Sequence, residues 1–270
     1  IILRSYLDMK YKFVIKEVSK EVALNMIQKY HYSNTLPRLN KYFLGVHLDG
    51  ALVGVVTLGY GTRPLHTIQA LFKDAKTEDY LEIGRMCMTD DMPKNSESQM
   101  LRVVVKWIKA NTDIKVLFTW ADGMLGKCGY VYQASNFKYV GKSESDIYLF
   151  DGYKIHPRQT KPIFKRDEND KRVTIRPTVE QLKKYHISRY KGHQFKYLIV
   201  LGSHKEKREM MERALFEVLP YPKEKNLTWK TYDLDSRKWV PCGKPPYKTD
   251  FSKDFNKDEL IRMIKEVGND

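Results

Sequence analysis

The sequence predicts a mixed α/β fold of the α+β kind: a sheet partly antiparallel and partly parallel, flanked by helices. Three observations predict it. Asp49-Gly50 separates two apolar runs, 42–48 and 51–60, and is the strongest short hairpin signal in the chain. Strand-like and helix-like segments then alternate from residue 80 to residue 150. Finally, 270 residues with 42% hydrophobic and 12% aromatic side chains suffice for a packed core.

The elements follow in order. Residues 11–18 read as a strand. Ser19 caps a helix that runs through Val22, Met26 and Ile27 toward Tyr30. A polar knot, His31 to Pro37, separates it from the hairpin. Residues 80–88 form the next strand, and strict alternation places Leu81, Ile83, Arg85 and Cys87 on one face. Asn95 and Ser96 open a helix, with Ser96 and Gln99 spaced as a capping box and Met100, Leu101, Val104, Val105 and Ile108 as its apolar stripe. A strand over 114–120 ends at Ala121-Asp122-Gly123. A short helix over 129–134 and strands at 137–140 and 147–150 come next. A basic helix (178–186), a strong strand (195–201) and a helix (205–215) complete the pattern. From Tyr221 the chain turns rich in Pro, Lys and Asp, and only 257–267 looks helical. The expected division is a catalytic domain over 1–220, with a basic segment at about 151–200 inside it, and an appendage over 221–270.

Charge narrows the partners. Lys and Arg number 48 against 33 Asp and Glu, a net charge of +15, and the fifty residues 151–200 alone carry +8. A polyanion is the expected partner. In that segment Tyr153, Phe164, Tyr185 and Tyr190 interleave with the cations, which suits backbone neutralisation plus base stacking. Arg158, Lys183, Lys184, Arg189 and Lys191 are the candidate nucleic-acid contacts. No run approaches the ~18 apolar residues of a membrane span, and the first residues lack the features of a signal peptide. The three cysteines, Cys87, Cys128 and Cys242, form no C-x-x-C pair and fit a reduced, cytoplasmic setting.

Several polar residues stand where chemistry collects. The helix start at Lys94, Asn95, Ser96 and Ser98 follows a strand, and its backbone N–H groups at the positive helix end suit a phosphate or carboxylate; a capped helix is the plainer explanation. There is no G-x-x-x-x-G-K loop. His31 with Tyr32 and Ser33 sits at a helix end, as a general base beside a phenol or as an ordinary C-terminal His. Asp122 follows a strand end, where α/β proteins gather site residues, or serves simply as a turn Asp. Arg85 in an apolar strand must be paired, with a carboxylate or an anionic ligand. His47 and His66 read as structural.

Five segments in this order resemble the Mom family of phage DNA-modification proteins. They are His31-Tyr32-Ser33 with Leu36-Pro37, Leu81 to Arg85, Pro93 to Ser98, Ala121-Asp122-Gly123, and Gly129 to Phe137. Asp151-Gly152, His156-Pro157-Arg158 and Tyr221-Pro222-Lys223 add to the likeness, which covers roughly residues 20–225. Gly129 to Phe137 also looks like the late helix–strand motif of GNAT acyltransferases. The resemblance implies a GNAT-like fold for 1–220 and an enzyme that converts adenine in DNA to its N6-carbamoylmethyl form. That reaction shields phage DNA from restriction in the cytoplasm of the infected bacterial cell.

It further implies His31, Tyr32, Arg85 and Asp122 as catalytic residues, with Asp122 or His31 handling protons. Lys94, Asn95, Ser96, Ser98 and Tyr132 would bind the acyl donor. The pyrophosphate loop of GNAT enzymes is glycine-rich, whereas residues 94–98 here contain no glycine. Together with the atoms of the product, this favours glycyl-tRNA over acetyl coenzyme A as donor, so DNA and tRNA are both expected partners. A metal, iron, also enters through the resemblance; His31 and Asp122 are two ligands, too few to assign a site. The competing expectations are an acetyl-coenzyme-A-dependent GNAT N-acyltransferase and a non-catalytic DNA-binding protein.

Overall fold

The computed structural model describes residues 11–33, 35–155, 160–165, 169, 171–172, 175–248 and 257–268. Arg158 and its neighbours His156 and Pro157 lie outside them. The strands are β1 (Val14–Glu17), β2 (Leu39–Leu48), β3 (Ala51–Tyr60), β4 (Tyr80–Met88), β5 (Val116–Asp122), β6 (Lys138–Phe150), β7 (Tyr153–Ile155), β8 (Ile187–Val200), β9 (Trp229–Asp233) and β10 (Lys238–Cys242). The helices are α1 (Lys20–Tyr30), α2 (Pro64–Gln69), α3 (Ser96–Asn111), α4 (Tyr130–Ala134), α5 (Thr160–Phe164), α6 (Val179–Lys184), α7 (His204–Glu212) and α8 (Lys257–Val267). Among the described residues no helix is long and apolar enough to cross a membrane.

The chain groups into two compact units. The first comprises 1–121, 129–141 and 195–221; the second comprises 122–128, 142–194 and 222–270. Strands β6 and β8 contribute residues to both.

In the first unit the strand order is β1-β2-β3-β4-β5-β8-β6. The β2–β3 hairpin turns on Asp49 and Gly50, both at positive φ (50° and 87°), as a two-residue primed turn requires. Strands β1 to β4 are antiparallel neighbours, and β4 and β5 are parallel. The mixture arises because α3 carries the chain back from the end of β4 to the start of β5. Ser19 caps α1, its hydroxyl accepting from the Val22 N–H at 3.2 Å. Helix α1 buries Ala23 and Ile27, and Ile27 packs with Val55 and Cys87. Four of the five residues of the expected α3 stripe, Met100, Leu101, Val104 and Ile108, are buried, and Val105 is half-buried. Tyr80, Phe118, Leu198 and Phe72 form a second cluster. Full burial of each such side chain stabilises by about 1.5–3 kcal/mol.

In the second unit β7 pairs with β6, and β9 pairs with both β8 and β10, all antiparallel. Phe150, Ile155, Phe164, Leu182, Ile187, Leu260 and Ile264 form its core.

Three local expectations change. The strands expected at 137–140 and 147–150 are one, β6; residues 141–146 are polar yet alternate in exposure, as a half-solvated antiparallel strand does. Beyond Tyr221 the chain builds the β9–β10 pair and the α8 core contribution, hidden in the sequence by flanking Lys, Asp and Pro. The Ser96–Gln99 capping box is not formed. Asn95 occupies the cap in the left-handed conformation (φ 72°), and Ser96 is the first helical residue.

Candidate active site at the divergence of β4 and β5

The parallel ladder between β4 and β5 has only three rungs: Tyr80↔Val116, Leu81↔Leu117 and Glu82↔Phe118. Both strands run on, β4 to Met88 and β5 to Asp122, without pairing further with each other. On its other side β4 stays paired with β3 as far as Gly54↔Met88. Past the third rung β4 and β5 therefore part, leaving a gap between them.

At the mouth of this gap β4 bulges. Thr57 faces Arg85 and Leu58 faces Ile83, so Gly84 is the extra residue. The bulge interrupts the strict alternation expected along 81–87. A Cβ on Gly84 would lie 2.8 Å from Pro37 Cγ and 3.0 Å from Thr57 Oγ1, so only glycine fits there.

Arg85 follows the bulge and is half-buried. Its Nη1–H donates to the Gly84 carbonyl (2.7 Å), Nε–H to the Thr35 carbonyl (2.9 Å) and an Nη2–H to Ser33 Oγ (2.9 Å). The guanidinium thus ties the loop after α1 to the bulge. On that loop His31 Nδ1 lies 2.9 Å from the Ser33 amide nitrogen and 3.1 Å from the Ser33 carbonyl oxygen, so it accepts from the one or donates to the other according to the tautomer. The Tyr32 ring stacks on His31, centroids 4.3 Å apart and planes 26° apart. His31, Tyr32 and Arg85, which the sequence singled out separately, are therefore brought together, with Ser33 as the link.

The residue that sequence reasoning did not select is Glu82. It stands at the last rung of the ladder. Its carboxyl is pushed up to about 7: burial is the chief cause, opposed by the positive charge of Arg85 and a hydrogen bond from Trp120 of β5. A Cβ on Gly61 would meet Glu82 Oε2 at 2.6 Å, so the loop after β3 closes over the carboxyl. A carboxyl balanced near neutrality can both take and give a proton.

The other expected residues are placed differently. Ser96 is fully buried, with its N–H (3.1 Å) and hydroxyl (2.6 Å) both donating to the Pro93 carbonyl. Ser98 Oγ donates to the Asn95 carbonyl (2.9 Å). Lys94 and Asn95 are exposed. The two hydroxyls and the first helical amide are thus spent locally, and the turn does not form the glycine-lined cradle that a coenzyme A pyrophosphate takes. Tyr132 is a core residue: Thr119 Oγ1 donates to its hydroxyl at 3.2 Å, its ring packs by Phe137 and Tyr197, and burial raises its phenol. Asp122 ends β5 and belongs to the second unit, where its carboxylate accepts from the Met124 N–H (3.1 Å) as the cap of a short turn. Among the described residues no group of three or more His, Cys, Asp or Glu is placed to hold a metal ion. Burial raises all three thiols, Cys87 to about 12, which disfavours the thiolate form.

Of the expected nucleic-acid contacts, three have acidic partners within the second unit. Lys183 Nζ lies 2.6 Å from Asp235, and Lys191 Nζ lies 3.3 Å from Glu144. Arg189 pairs with Asp146 (Nε to Oδ1 3.1 Å) and lies 5.0–5.6 Å from the ring centroids of Tyr148, Tyr232 and Trp239. Lys184 is exposed, its ammonium 5.7 Å from the Tyr185 ring. Of the interleaved aromatics, Phe164 is core, and Tyr153, Tyr185 and Tyr190 are half-buried against apolar clusters.

Comparison with known proteins completes the site's description. The chain is 32% identical over 210 residues to the methylcarbamoylase mom of Escherichia phage Mu, covering 77% of this chain and 83% of that protein. Solved structures with similar folds include an IAA acetyltransferase from Bacillus cereus (14% identity, TM-score 0.39, 70% of this chain and 100% of that one). Another is a GNAT family acetyltransferase from Elizabethkingia anophelis with acetyl-CoA bound (11% identity, TM-score 0.38, 70% and 98%). The profile of the Mom protein family matches residues 12–223, and with the phage Mu relative it shows that the chain belongs to that family.

Proposed function

We propose that this protein is a DNA-modifying acyltransferase that converts adenine to N6-carbamoylmethyladenine, with a glycyl ester, glycyl-tRNA, as donor. The observation that carries the reading is the parting of β4 and β5, with a bulge, a clamped Arg and a raised carboxyl beside it, in a chain of the same family as a methylcarbamoylase. A donor carbonyl laid along β4 would meet the fixed dipoles of the strand at its bulge and the Arg85 cation beside them. Such fixed dipoles act where charge develops on the carbonyl oxygen.

The atoms select the donor. The product replaces one amine hydrogen of adenine with CH2–CO–NH2, a net gain of the composition of one glycyl residue. Acetyl transfer supplies no nitrogen and would need an oxidation besides. A glycyl ester supplies every atom without redox chemistry. The exocyclic nitrogen attacks the ester carbonyl, the C–O bond breaks, and the tRNA 3′-oxygen leaves with a proton. The glycine amine then attacks the adjacent ring carbon through a five-membered ring. Its collapse leaves glycine's nitrogen on the purine, and adenine's own nitrogen becomes the amide. No cysteinyl intermediate is called for, in keeping with the raised thiols.

His31, Tyr32 and Arg85 line the donor side of this reading, and Asp122 is carried by the resemblance and by its place at the end of β5. The exocyclic amine is paired in a duplex, so the base is flipped out or the strand is single. The basic segment 151–200 supports DNA and tRNA as the two polyanions. Both meet in the cytoplasm of an infected cell. Cells expressing the protein, fed ¹⁵N-glycine, test the reading by mass spectrometry of their nucleosides. The label is expected on the ring-attached nitrogen and absent from the amide. Label in the amide alone excludes the rearrangement, and modification from acetyl coenzyme A without tRNA excludes the donor.

A further inference from the structure

An antiparallel sheet that packs one face on a core turns its other face to water, and that outer face is ordinarily polar. The β8–β9–β10 sheet of the second unit departs from this. Residues directly opposite on antiparallel strands share a face, and every second residue along a strand returns to it. The pairs Tyr232↔Trp239 and Lys191↔Lys230 therefore lie on one side and Tyr190↔Thr231 on the other. The Tyr190 side is the inner one, where Tyr190 and Trp229 pack with Met124, Ile147 and Leu149. The opposite side also carries Arg189, and the exposed Glu144 and Asp146 of β6 meet it there. Apolar packing of the second unit takes up this side at Phe150 and Ile187, with Tyr148 against its border. Beyond that border the face keeps two large aromatics, Tyr232 and Trp239, each half-buried. Strands β9 and β10 also lie past residue 223, where the family match ends.

On this face flat rings and cations alternate. The Tyr232 and Trp239 rings meet at 5.2 Å between centroids, with planes 64° apart. The Arg189 guanidinium lies 5.0 Å from the Trp239 centroid and 5.3 Å from that of Tyr232, and the Lys191 ammonium lies 4.7 Å from Trp239. Asp146 and Glu144 balance these two charges within the fold. Arg189 is thereby fixed in place, and it offers a ligand a plane more than a charge. The exposed Lys142 and Lys230 add positive charge at the edge. They act on the His193 ring, which burial and their fields hold below the usual histidine range. Rings with a modest positive surround suit the bases of a single strand, every one of which has a π-face. A duplex keeps its bases stacked inside and presents phosphates, which call for unbalanced cations instead.

We propose that the outer face of β8, β9 and β10 binds single-stranded DNA, with bases stacked on Trp239 and Tyr232. The choice of DNA rests on the function proposed above; the choice of a single strand rests on the face itself. Stacking supplies the affinity here, and Lys142 and Lys230 serve the strand's phosphates. The basic segment and the aromatic face thus divide the work, the one through charge and the other through planes.

The test uses the full chain and three probes of equal length: an oligodeoxythymidylate, its duplex with oligodeoxyadenylate, and an oligouridylate. The wild type is expected to bind the deoxythymidylate most tightly and to lose tryptophan fluorescence as it does. Trp239→Ala is expected to weaken that binding by about fivefold to a hundredfold. The slope of affinity against salt should stay as it was, because stacking releases no counterions. Trp239→Phe is expected to keep most of the affinity and to lose most of the quench. Unchanged affinity in Trp239→Ala, a slope that falls with the affinity, or a quench that persists in Trp239→Phe overturns the proposal. So does tighter binding of the duplex, and tighter binding of the oligouridylate would give the face to RNA. Should Trp239→Ala not fold, the quench in Trp239→Phe decides. Expressing cells that gain no modified adenine overturn the proposed function and leave this face to stand or fall on the oligonucleotides.

Discussion

A glutamate that ionises at 4.5 in a flexible chain but near 7 at its place in β4 makes the fold pH-sensitive. Between these values the folded chain binds more protons than the unfolded one, so stability falls as pH rises from 4.5 to 7 and the penalty is complete above 7. Glu82→Gln removes it. The variant is expected to gain little melting temperature at pH 5 and to be more stable at pH 8 by up to about 3 kcal/mol, read by thermal unfolding at both pH values; equal shifts would show that the carboxyl titrates normally. Arg85 acts in the opposite sense, as a tie. Arg85→Ala is expected to lower modification by ~10²–10⁴-fold while the protein still folds and binds DNA. Arg85→Lys should fail to rescue, because one ammonium cannot reach the three acceptors that the planar fork reaches. Arg85 was legible in the sequence because a charge stood out in an apolar strand, and His31 because it opens a polar knot at a helix end. Glu82 was not. On an alternating strand it reads as a solvent-facing residue, and its burial depends on Trp120 and Gly61, neither of which the local pattern names.

Among the elements, the bulge in β4 joins sheet geometry to the site. Gly84→Ala is expected to destabilise by about 1–3 kcal/mol, since Pro37 and Thr57 must give way. It should also depress activity beyond the stability loss, because Arg85 is aimed by its neighbour; a variant with normal turnover and a lower melting temperature would separate bulge from site. The hairpin, the α1 cap and the α3 stripe were legible because each rests on local rules: a primed turn, a hydroxyl at the cap, a 3.6-residue period. The three-rung ladder was not, since where two parallel strands stop pairing is decided by what packs between them. The helix start at Ser96 was half legible. Its position was right, but burial turned its hydroxyl inward to Pro93.

For the whole molecule, charge is the property most fully visible from composition. Its arrangement is less so, because Lys183, Lys191 and Arg189 find carboxylates 43 to 52 residues away in sequence. The slope of DNA affinity against salt is about −0.9 for each duplex phosphate neutralised. Replacing Lys183, Lys184 and Arg189 together is therefore expected to flatten it by about 1, from Lys184, and not by about 3. Titration at several salt concentrations checks this, and a change near 3 would mean that the phosphates displace Asp146 and Asp235. The strand order of the first unit has a further consequence, for how the chain is made. β8 lies between β5 and β6 but is synthesised after both, and its stretch in this unit begins only at Phe195. While the ribosome works through the intervening residues, β5 and β6 wait with open edges, an invitation to mispairing with neighbouring nascent chains. Long-range closure of this kind is slow. Yield in a heterologous host should therefore respond to translation speed and growth temperature more than to promoter strength.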